Sequence, residues 1–185
     1  MKILALSGSL RAESFNTALA RAAIEHAPDG VEIELYDGLA WIPPYDADVD
    51  GEDAPPAVRD LRDRITAAGA LLVVTPEYNG SIPGVLKNAI DWASRPPHGG
   101  AALWGKTAAV AGATTGQYGA IWAQQDLRRI LGLAGARVVD GELPVPRAQE
   151  KFDAAGRLVD AALAERLRTH LAALIAEAAP VAVAA

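Results

Sequence analysis

Hydrophobic and polar positions follow two different periods along this chain. Short apolar runs, typical of buried strands, alternate with longer segments in which apolar side chains return every three or four positions, as on one face of a helix. The short runs predict strands over residues 2–6, 31–36, 70–74, 106–113 and 136–140. The longer periods predict helices over residues 14–27, 57–68, 85–94, 120–131 and 160–178.

Strands and helices alternate along the whole chain, without internal repeats. This order predicts a doubly wound α/β fold, in which a five-stranded parallel sheet has helices on both faces. Right-handed crossovers then bring three loops to one edge of the sheet, at residues 7–16, 75–82 and 113–119. That edge lies at the carboxyl ends of the strands, where open α/β sheets bind ligands.

The length of 185 residues suits one domain, which we place at residues 1–179, and we expect residues 180–185 to be a frayed tail. Two long loops interrupt the pattern, at residues 37–56 and 141–156. A loop as long as the first usually serves binding or an interface. The first contains Trp41 and Tyr45, which either cover a ligand or contact a partner subunit; the sequence leaves both roles open.

Composition excludes several classes of protein. The net charge of −6 argues against a general nucleic-acid binder or a protein of anionic membranes. Cysteine is absent, and the three histidines are too scattered to share a metal, so we expect them to be structural or solvated. The apolar run at the N-terminus is too short for a signal peptide, and no run is long enough to span a membrane. We expect a cytoplasmic protein without metal, nucleic acid or membrane insertion.

The first loop joins a strand to the start of a helix. Free N–H groups and the helix dipole favour an anion there. Ser9, Ser14 and Thr17 add hydroxyl donors, Asn16 adds an amide, and Arg11 is able to bind two phosphate oxygens. From the residues alone, a second interpretation is equally open: Ser14 caps the helix and Arg11 is a solvated surface charge.

The second loop suits a flat heteroaromatic ligand. Tyr78 offers a ring face, Glu77 and Asn79 offer polar edges, and Pro76 stiffens the backbone. Pro83 follows at a position typical of the first turn of a helix. The sequence therefore predicts a phosphate site and a ring site at neighbouring strand ends.

These two loops carry a resemblance to a known family. Their motifs are Gly8-Ser9-Leu10-Arg11-x-x-Ser14-x-Asn16 and Pro76-Glu77-Tyr78-Asn79-x-Ser81-x-Pro83-Gly84-x-Leu86-Lys87-Asn88-Ala89-Ile90-Asp91-Trp92. With residues 42–48, they make roughly the first 130 residues resemble the NADPH-dependent FMN reductase family, and most of all its bacterial quinone and chromate reductases. A Gly-x-Gly-x-x-Gly dinucleotide fingerprint is absent.

The resemblance implies a flavodoxin-like fold, non-covalent FMN and NAD(P)H as co-substrate. It implies that the first loop binds the cofactor, chiefly at the phosphate, through Ser9, Arg11, Ser14, Phe15, Asn16 and Thr17. It places the isoalloxazine against Pro76, Glu77, Tyr78 and Asn79. It places the pyrimidine edge of that ring at Ala113, Thr114, Thr115 and Gly116, although relatives often have Ser where this chain has Ala113 and Thr114.

The function implied is transfer of hydride from NAD(P)H to flavin N5, and then to an acceptor in the same open pocket. Quinones are the favoured acceptors, with chromate, azo compounds and free flavin as further candidates. No catalytic side chain is expected, and one open flavin face predicts ping-pong kinetics. We expect a homodimer or homotetramer. A flavodoxin-like electron carrier and a cofactor-free interaction domain remain alternatives.

Three further patterns give expectations outside this site. Residues 100–107 match the P-loop pattern, but an apparent strand follows where a helix is required, so we expect no ATP site and a solvated Lys106. Asp91 and Arg95 are spaced for a surface ion pair. Three tryptophans are expected in the core or at an interface: Trp92, Trp104 and Trp122.

Overall fold

In a computed structural model, the chain forms one parallel sheet covered by helices. The structure describes residues 1–51, 53–96 and 100–178. The strands are β1 (Lys2–Ser7), β2 (Glu32–Tyr36), β3 (Ala70–Val74), β4 (Thr107–Ala113), β5 (Arg137–Val138) and β6 (Leu143–Val145). The α-helices are α1 (Phe15–Glu25), α2 (Pro56–Ala67), α3 (Gly84–Ala93), α4 (Ile121–Leu133) and α5 (Ala161–Ala178).

The strand order is β2-β1-β3-β4-β5, and β6 also pairs with β4. This is the order of flavodoxin-like folds, so the expected fold is confirmed. The register aligns Leu6 with Val73 and Val73 with Val110. The central strands therefore end close together, and the loops that follow them start from one edge.

Two hydrophobic layers enclose the sheet because successive strand residues point to opposite faces. Leu4 and Leu6 of β1 face a layer built with α2, α3 and α4. Ile3 and Ala5 face a second layer built with α1 and α5. Every residue of β3 and β4 is buried, as expected for strands covered on both sides.

The predicted fifth strand is wrong in its extent. Only Arg137–Val138 pairs there, and a sixth strand lies within the segment that was predicted to be a loop. The interruption falls at Gly141, whose φ is +87°. Arg128 donates to the carbonyls of Val139 and Gly141 there, which replaces strand partners that these groups lack. The sheet edge is thus two short pieces instead of one strand.

The long loop after β2 is fastened to α3. The indole Nε1 of Trp92 donates to Pro43 O at 2.8 Å, and Tyr45 N donates to Asn88 Oδ1 at 2.8 Å. The Tyr45 ring also packs edge-on against Trp92, at 4.8 Å between centroids. Tyr45 is therefore an anchor of the loop, whereas Trp41 is 78% exposed.

Several expectations about single side chains need correction. Asp91 pairs with Lys87 at 2.7 Å, and Arg95 instead lies over the Tyr45 ring. Lys106 is not simply solvated, because it donates to Thr66 O and Ala68 O at the end of α2, and burial lowers its pKa.

Of the three tryptophans, Trp92 is fully buried, whereas Trp104 and Trp122 are about half exposed and lie outside the core. His170 is buried, and burial lowers its pKa. The segment with the P-loop pattern leads into β4, as expected. His98 and the predicted tail lie outside the described residues. Within the part of the chain that is described, none of the helices combines the length and apolar character needed to cross a bilayer.

Candidate active site

The first loop is held against the second at its base. Gly8 N donates to Val74 O at 2.8 Å, which ties the loop to the end of β3. A Cβ on Gly8 would lie 2.9 Å from Leu86 Cδ2 and 3.3 Å from Pro76 Cδ. A Cβ here would require the end of the Leu86 side chain to shift, so the backbone of Gly8 lies close to Leu86 and Pro76. The first loop thus packs directly on the loop that was predicted to support a ring.

Ser14 caps helix α1. Its Oγ accepts hydrogen bonds from Asn16 N at 3.2 Å and from Thr17 N at 3.4 Å. The Thr17 hydroxyl lies 2.9 Å from Ser7 Oγ, which joins the helix to β1. The capping interpretation is therefore confirmed. The Ser14 hydroxyl proton is still available to a ligand at the positive end of the helix dipole.

Asn16 joins the first loop to the third. Its Nδ2 donates to Ala113 O at 3.0 Å, and its Oδ1 accepts from Ala113 N at 2.8 Å. The side chain is 4% exposed. Because both polar atoms of the amide bind the main chain of Ala113, the structure gives Asn16 a bracing contact that the sequence did not indicate.

Arg11 lies at the exposed rim of the first loop. Its N–H is 3.4 Å from Ser9 Oγ, and Ser9 itself is buried. The Arg11 guanidinium has no partner among the described residues. An exposed cation beside buried hydroxyls and a helix N-terminus favours the binding of an anion.

The second loop forms a tight hairpin turn. Tyr78 and Ser81 exchange main-chain hydrogen bonds of 3.0 and 3.1 Å across Asn79 and Gly80. The φ angles of Asn79 and Gly80 are +53° and +76°, as in the two-residue turns that favour Asn-Gly. The turn leaves the Tyr78 side chain 48% exposed, while Pro76 is buried.

Two acidic side chains fasten this turn to α4. Glu77 Oε2 accepts from Ala123 N at 3.2 Å, in the first turn of the helix. Ser81 Oγ donates to Asp126, whose other oxygen accepts from Arg129 at 2.7 Å. The Ser81 hydrogen bond, followed by that from Arg129, holds the pKa of Asp126 below its usual range. Glu77 and Asp126 therefore stabilise the loop as acceptors.

The third loop is held by the end of β6 and by the segment that follows it. Thr114 N donates to Val145 O at 3.1 Å, and Ala148 N donates to Thr114 O at 3.0 Å. Arg147 N donates to Gly116 O at 2.9 Å. Ala113 is buried, whereas Thr115 and Gly116 at the tip are exposed. The base of the loop is fixed, and its tip presents main-chain groups to solvent.

Sequence reasoning missed several residues around this edge. Phe152 packs against Phe15 at 5.9 Å between ring centroids. Tyr118 and Trp122 form an edge-on pair at 4.8 Å, and both are about half exposed. Tyr118 lies in the loop before α4, so the helical rule for residues four apart does not apply to this pair, and no local pattern indicated it. The contact of Arg147 with the third loop had no signal in the sequence.

The structure therefore brings all three predicted groups of residues to one edge. Asn16 joins the first loop to the third, and Gly8 joins the first to the second. This edge presents an exposed guanidinium and an exposed aromatic face, together with the buried hydroxyl of Ser14 at a helix N-terminus. These groups fit a ligand that has a phosphate at one end and a flat ring at the other, as FMN has.

Comparison with known proteins decides the family. Residues 1–150 match the family model described as NADPH-dependent FMN reductase. The chain belongs to this family. Membership in the NADPH-dependent FMN reductase family confirms the expected kind of enzyme, with FMN as cofactor and NAD(P)H as co-substrate.

Relatives from this group extend over nearly the whole chain. An NAD(P)H-dependent FMN reductase of Pseudomonas aeruginosa is 46% identical, covering 94% of this chain and 93% of the relative. A quinone reductase of Escherichia coli is 39% identical over 94% of this chain and 93% of its own. The solved structure of FerB, an NAD(P)H:(acceptor) oxidoreductase of Paracoccus denitrificans, has a TM-score of 0.86 at 35% identity and 96% coverage of both chains.

Proposed function

We propose that this protein is an FMN-dependent oxidoreductase that transfers reducing equivalents from NAD(P)H to quinones or related acceptors, including chromate, azo compounds and free flavin. The observation that carries the proposal is the joining of three loops at one sheet edge, where the side chains of Arg11 and Tyr78 are exposed. The names of the relatives support quinones as the first acceptors to try.

In this proposal, Arg11 binds the phosphate with Ser9, Ser14 and Thr17. Phe15 closes that side of the loop through its contact with Phe152. We assign Asn16 a bracing role, because both of its amide atoms are bonded to Ala113. The hydride chemistry is supplied by the flavin when it is bound.

The ring is supported on the second and third loops. Tyr78 and Pro76 offer apolar contact, while Glu77 and Asn79 fix the turn that carries them. The pyrimidine edge of the ring would be held at the third loop, at Ala113, Thr114, Thr115 and Gly116. The Thr114 Oγ1 accepts from Gly116 N at 3.3 Å, which leaves its proton for a ligand.

Kinetics test this proposal directly. With one open face, nicotinamide and acceptor occupy the same place in turn, so NAD(P)H and quinone varied together should give parallel double-reciprocal lines. Intersecting lines would contradict the shared site. Anaerobic bleaching of the bound flavin by each nicotinamide, followed by recovery on adding acceptor, separates the two half-reactions. Absence of bleaching by either nicotinamide would overturn the proposed function.

We also propose that the protein is a cytoplasmic homodimer or homotetramer. Trp104 and Leu133 are exposed and flank a groove of about 330 Å³ between α3 and α4, which a second copy would cover. Light scattering at several concentrations measures the assembly. A monomer mass that does not change with concentration would reject it.

A further inference from the structure

Unpaired cations cluster near the candidate site. Within the described residues, all but three of the 17 lysine and arginine side chains have an acidic, carbonyl, hydroxyl or aromatic partner. The three exceptions are Arg11 in the first loop, Arg21 on α1 and Arg147 beside the third loop. In a chain of net charge −6, two of the three cations left without partners thus lie on the first loop and on the helix that follows it.

Arg11 and Arg21 line the same groove. Its volume is about 360 Å³, and it runs from the first loop along α1, past Phe15 and Ala18. Its opposite wall is the turn at residues 153–156. Phe15 and Phe152 pack together at one end of this wall. The groove is therefore a continuation of the predicted phosphate site and shares its residues.

On the opposite wall, the carboxylate of Asp153 already has hydrogen-bond partners within its own turn. Asp153 Oδ1 accepts from Ala155 N and Arg157 N, and its Oδ2 accepts from Arg157 Nε, all at 2.9 Å. The Asp153 carboxylate is therefore already paired with Arg157 and hydrogen-bonded to the main chain of its own turn. Among the lining residues, Glu13 is the one carboxylate without a partner in the described chain. The two guanidiniums outweigh it, so the groove favours an anion.

Arg21 lies farther along α1 than a single phosphate at the start of the helix needs. Seven residues separate Ser14 from Arg21, which is a rise of about 10 Å along the helix. Long side chains on a helix lean toward its N-terminus, which directs Arg21 over Ala18. A ligand that ends at its phosphate stops short of this place. A ligand that continues through a second phosphate into a nucleoside fills it.

We propose that the groove between Arg11 and Arg21 binds the adenosine diphosphate half of a dinucleotide. This inference rests on the proposed function, because it takes the first loop as the phosphate site. Two dinucleotides carry this chemistry: FAD in place of FMN, or NADPH as the co-substrate. Arg21 contacts the part of the ligand that FMN lacks, so it discriminates between flavins without holding FMN itself.

The test is the variant Arg21→Ala, with Arg168→Ala as its control. Arg168 is exposed on α5, pairs with Glu165 and does not line the groove, so its replacement removes the same charge outside the proposed site. The affinities of FMN and FAD for the flavin-free full-length chain are measured by fluorescence quenching. The affinity of NADP⁺ for the FMN-loaded protein is measured by calorimetry. We expect Arg21→Ala to weaken FAD or NADP⁺ about tenfold, the loss typical of one hydrogen bond to a charged group, with FMN unchanged.

The two arms identify the source. If only the affinity for FAD falls, the groove is assigned to the flavin. If only the affinity for NADP⁺ falls, the groove is assigned to the co-substrate. Both results support the inference. Unchanged affinity for both dinucleotides would overturn it, and so would an equal loss in Arg168→Ala. If Arg21→Ala lowered the affinities for FMN and FAD equally, the inference would also be overturned, because Arg21 would then contact the phosphate that both flavins share. If wild-type protein fails to bind FMN, it is the proposed function that fails.

Discussion

The first and second loops build their parts of the site in opposite ways. The first loop is held by neutral groups, the hydroxyls of Ser7, Ser14 and Thr17 and the amide of Asn16, and it leaves a cation exposed. The second loop is held by the carboxylates of Glu77 and Asp126 and leaves an aromatic ring exposed. In each loop, the groups that fasten the backbone differ in chemistry from the group left for a ligand.

This difference has a physical reason. A carboxylate buried near the first loop would repel a phosphate, so neutral hydrogen-bonding groups suit that place. The part of the ligand near the second loop is a flat ring without a formal charge. Carboxylates that accept hydrogen bonds from α4 therefore do not repel it. The comparison predicts that variants of the first loop respond to the phosphate of the ligand and variants of the second loop do not.

The largest effect is expected for Asn16→Ala. The change removes two hydrogen bonds and leaves the buried N–H and C=O of Ala113 without partners, which costs about 3 kcal/mol of unfolding free energy. Since Asn16 acts through Ala113, FMN and riboflavin should weaken by similar factors. Chemical denaturation and flavin titration measure the two quantities.

A core variant of similar destabilisation separates bracing from general loss of stability. Leu19→Ala removes a fully buried side chain on the same helix, away from the loops. If it weakened flavin to the same extent as Asn16→Ala, the bracing role would be rejected. Weakening of FMN alone by Asn16→Ala would instead make Asn16 a direct phosphate ligand.

Arg11→Ala is expected to weaken FMN by about 10- to 100-fold, the value of one or two hydrogen bonds to a charged group. Riboflavin lacks the phosphate, so its affinity should change little. Stability should also be unaffected, because the guanidinium has no partner in the described chain. Titration of both flavins at two salt concentrations gives the comparison. Equal weakening of both flavins would remove Arg11 from the phosphate site.

Tyr78 tests the second loop in the same way. Tyr78→Ala removes an exposed ring face and should weaken FMN and riboflavin alike, by about tenfold on the scale of aromatic contacts. Tyr78→Phe keeps the ring and should retain most of the activity when FMN is saturating. Steady-state rates with excess FMN measure this. Collapse of Tyr78→Phe activity with FMN still bound would assign the hydroxyl a chemical role.

The sequence predicted the elements whose patterns are long, and it failed where the pattern is short. The runs that became β1, β3 and β4 are continuous and apolar because both faces are covered. β6 is three residues long and has Pro144 in the middle, a residue that is tolerated at a sheet edge. Three residues are too few to show an alternation of apolar and polar positions. The strand interruption depends on Arg128, a residue of α4 whose contact with this edge is tertiary.

The sequence allowed us to predict which loops form the candidate site, but not the side-chain contacts that hold these loops together. Strand order alone brings the three loops together, and Ser14 followed the usual preference for a helix cap. The partner of Asp91 was not predictable, because Lys87 and Arg95 are both one helical turn away. The bond between Asn16 and Ala113 joins residues 97 positions apart, beyond any local pattern.

The smallest predicted effect concerns the anchor of the second loop. Ser81→Ala removes the hydrogen bond to Asp126 and should cost about 1 kcal/mol of unfolding free energy at neutral pH, with little preference between FMN and riboflavin. The bond lowers the pKa of Asp126 in the folded state, so its contribution is complete above the usual carboxyl pKa. The contribution is lost as the pH falls through the lowered value.

The stability difference between wild type and Ser81→Ala should therefore shrink in acid, below about pH 4. Denaturant unfolding at a series of pH values measures it. Asp126→Asn is the matched background, because it keeps an acceptor for Ser81 and removes the titrating group. In that background the cost of Ser81→Ala should be smaller and independent of pH. A cost that stays constant into acid in the wild-type background would mean that the hydroxyl acts through packing, and the second loop would then be held by Glu77 alone among its carboxylates.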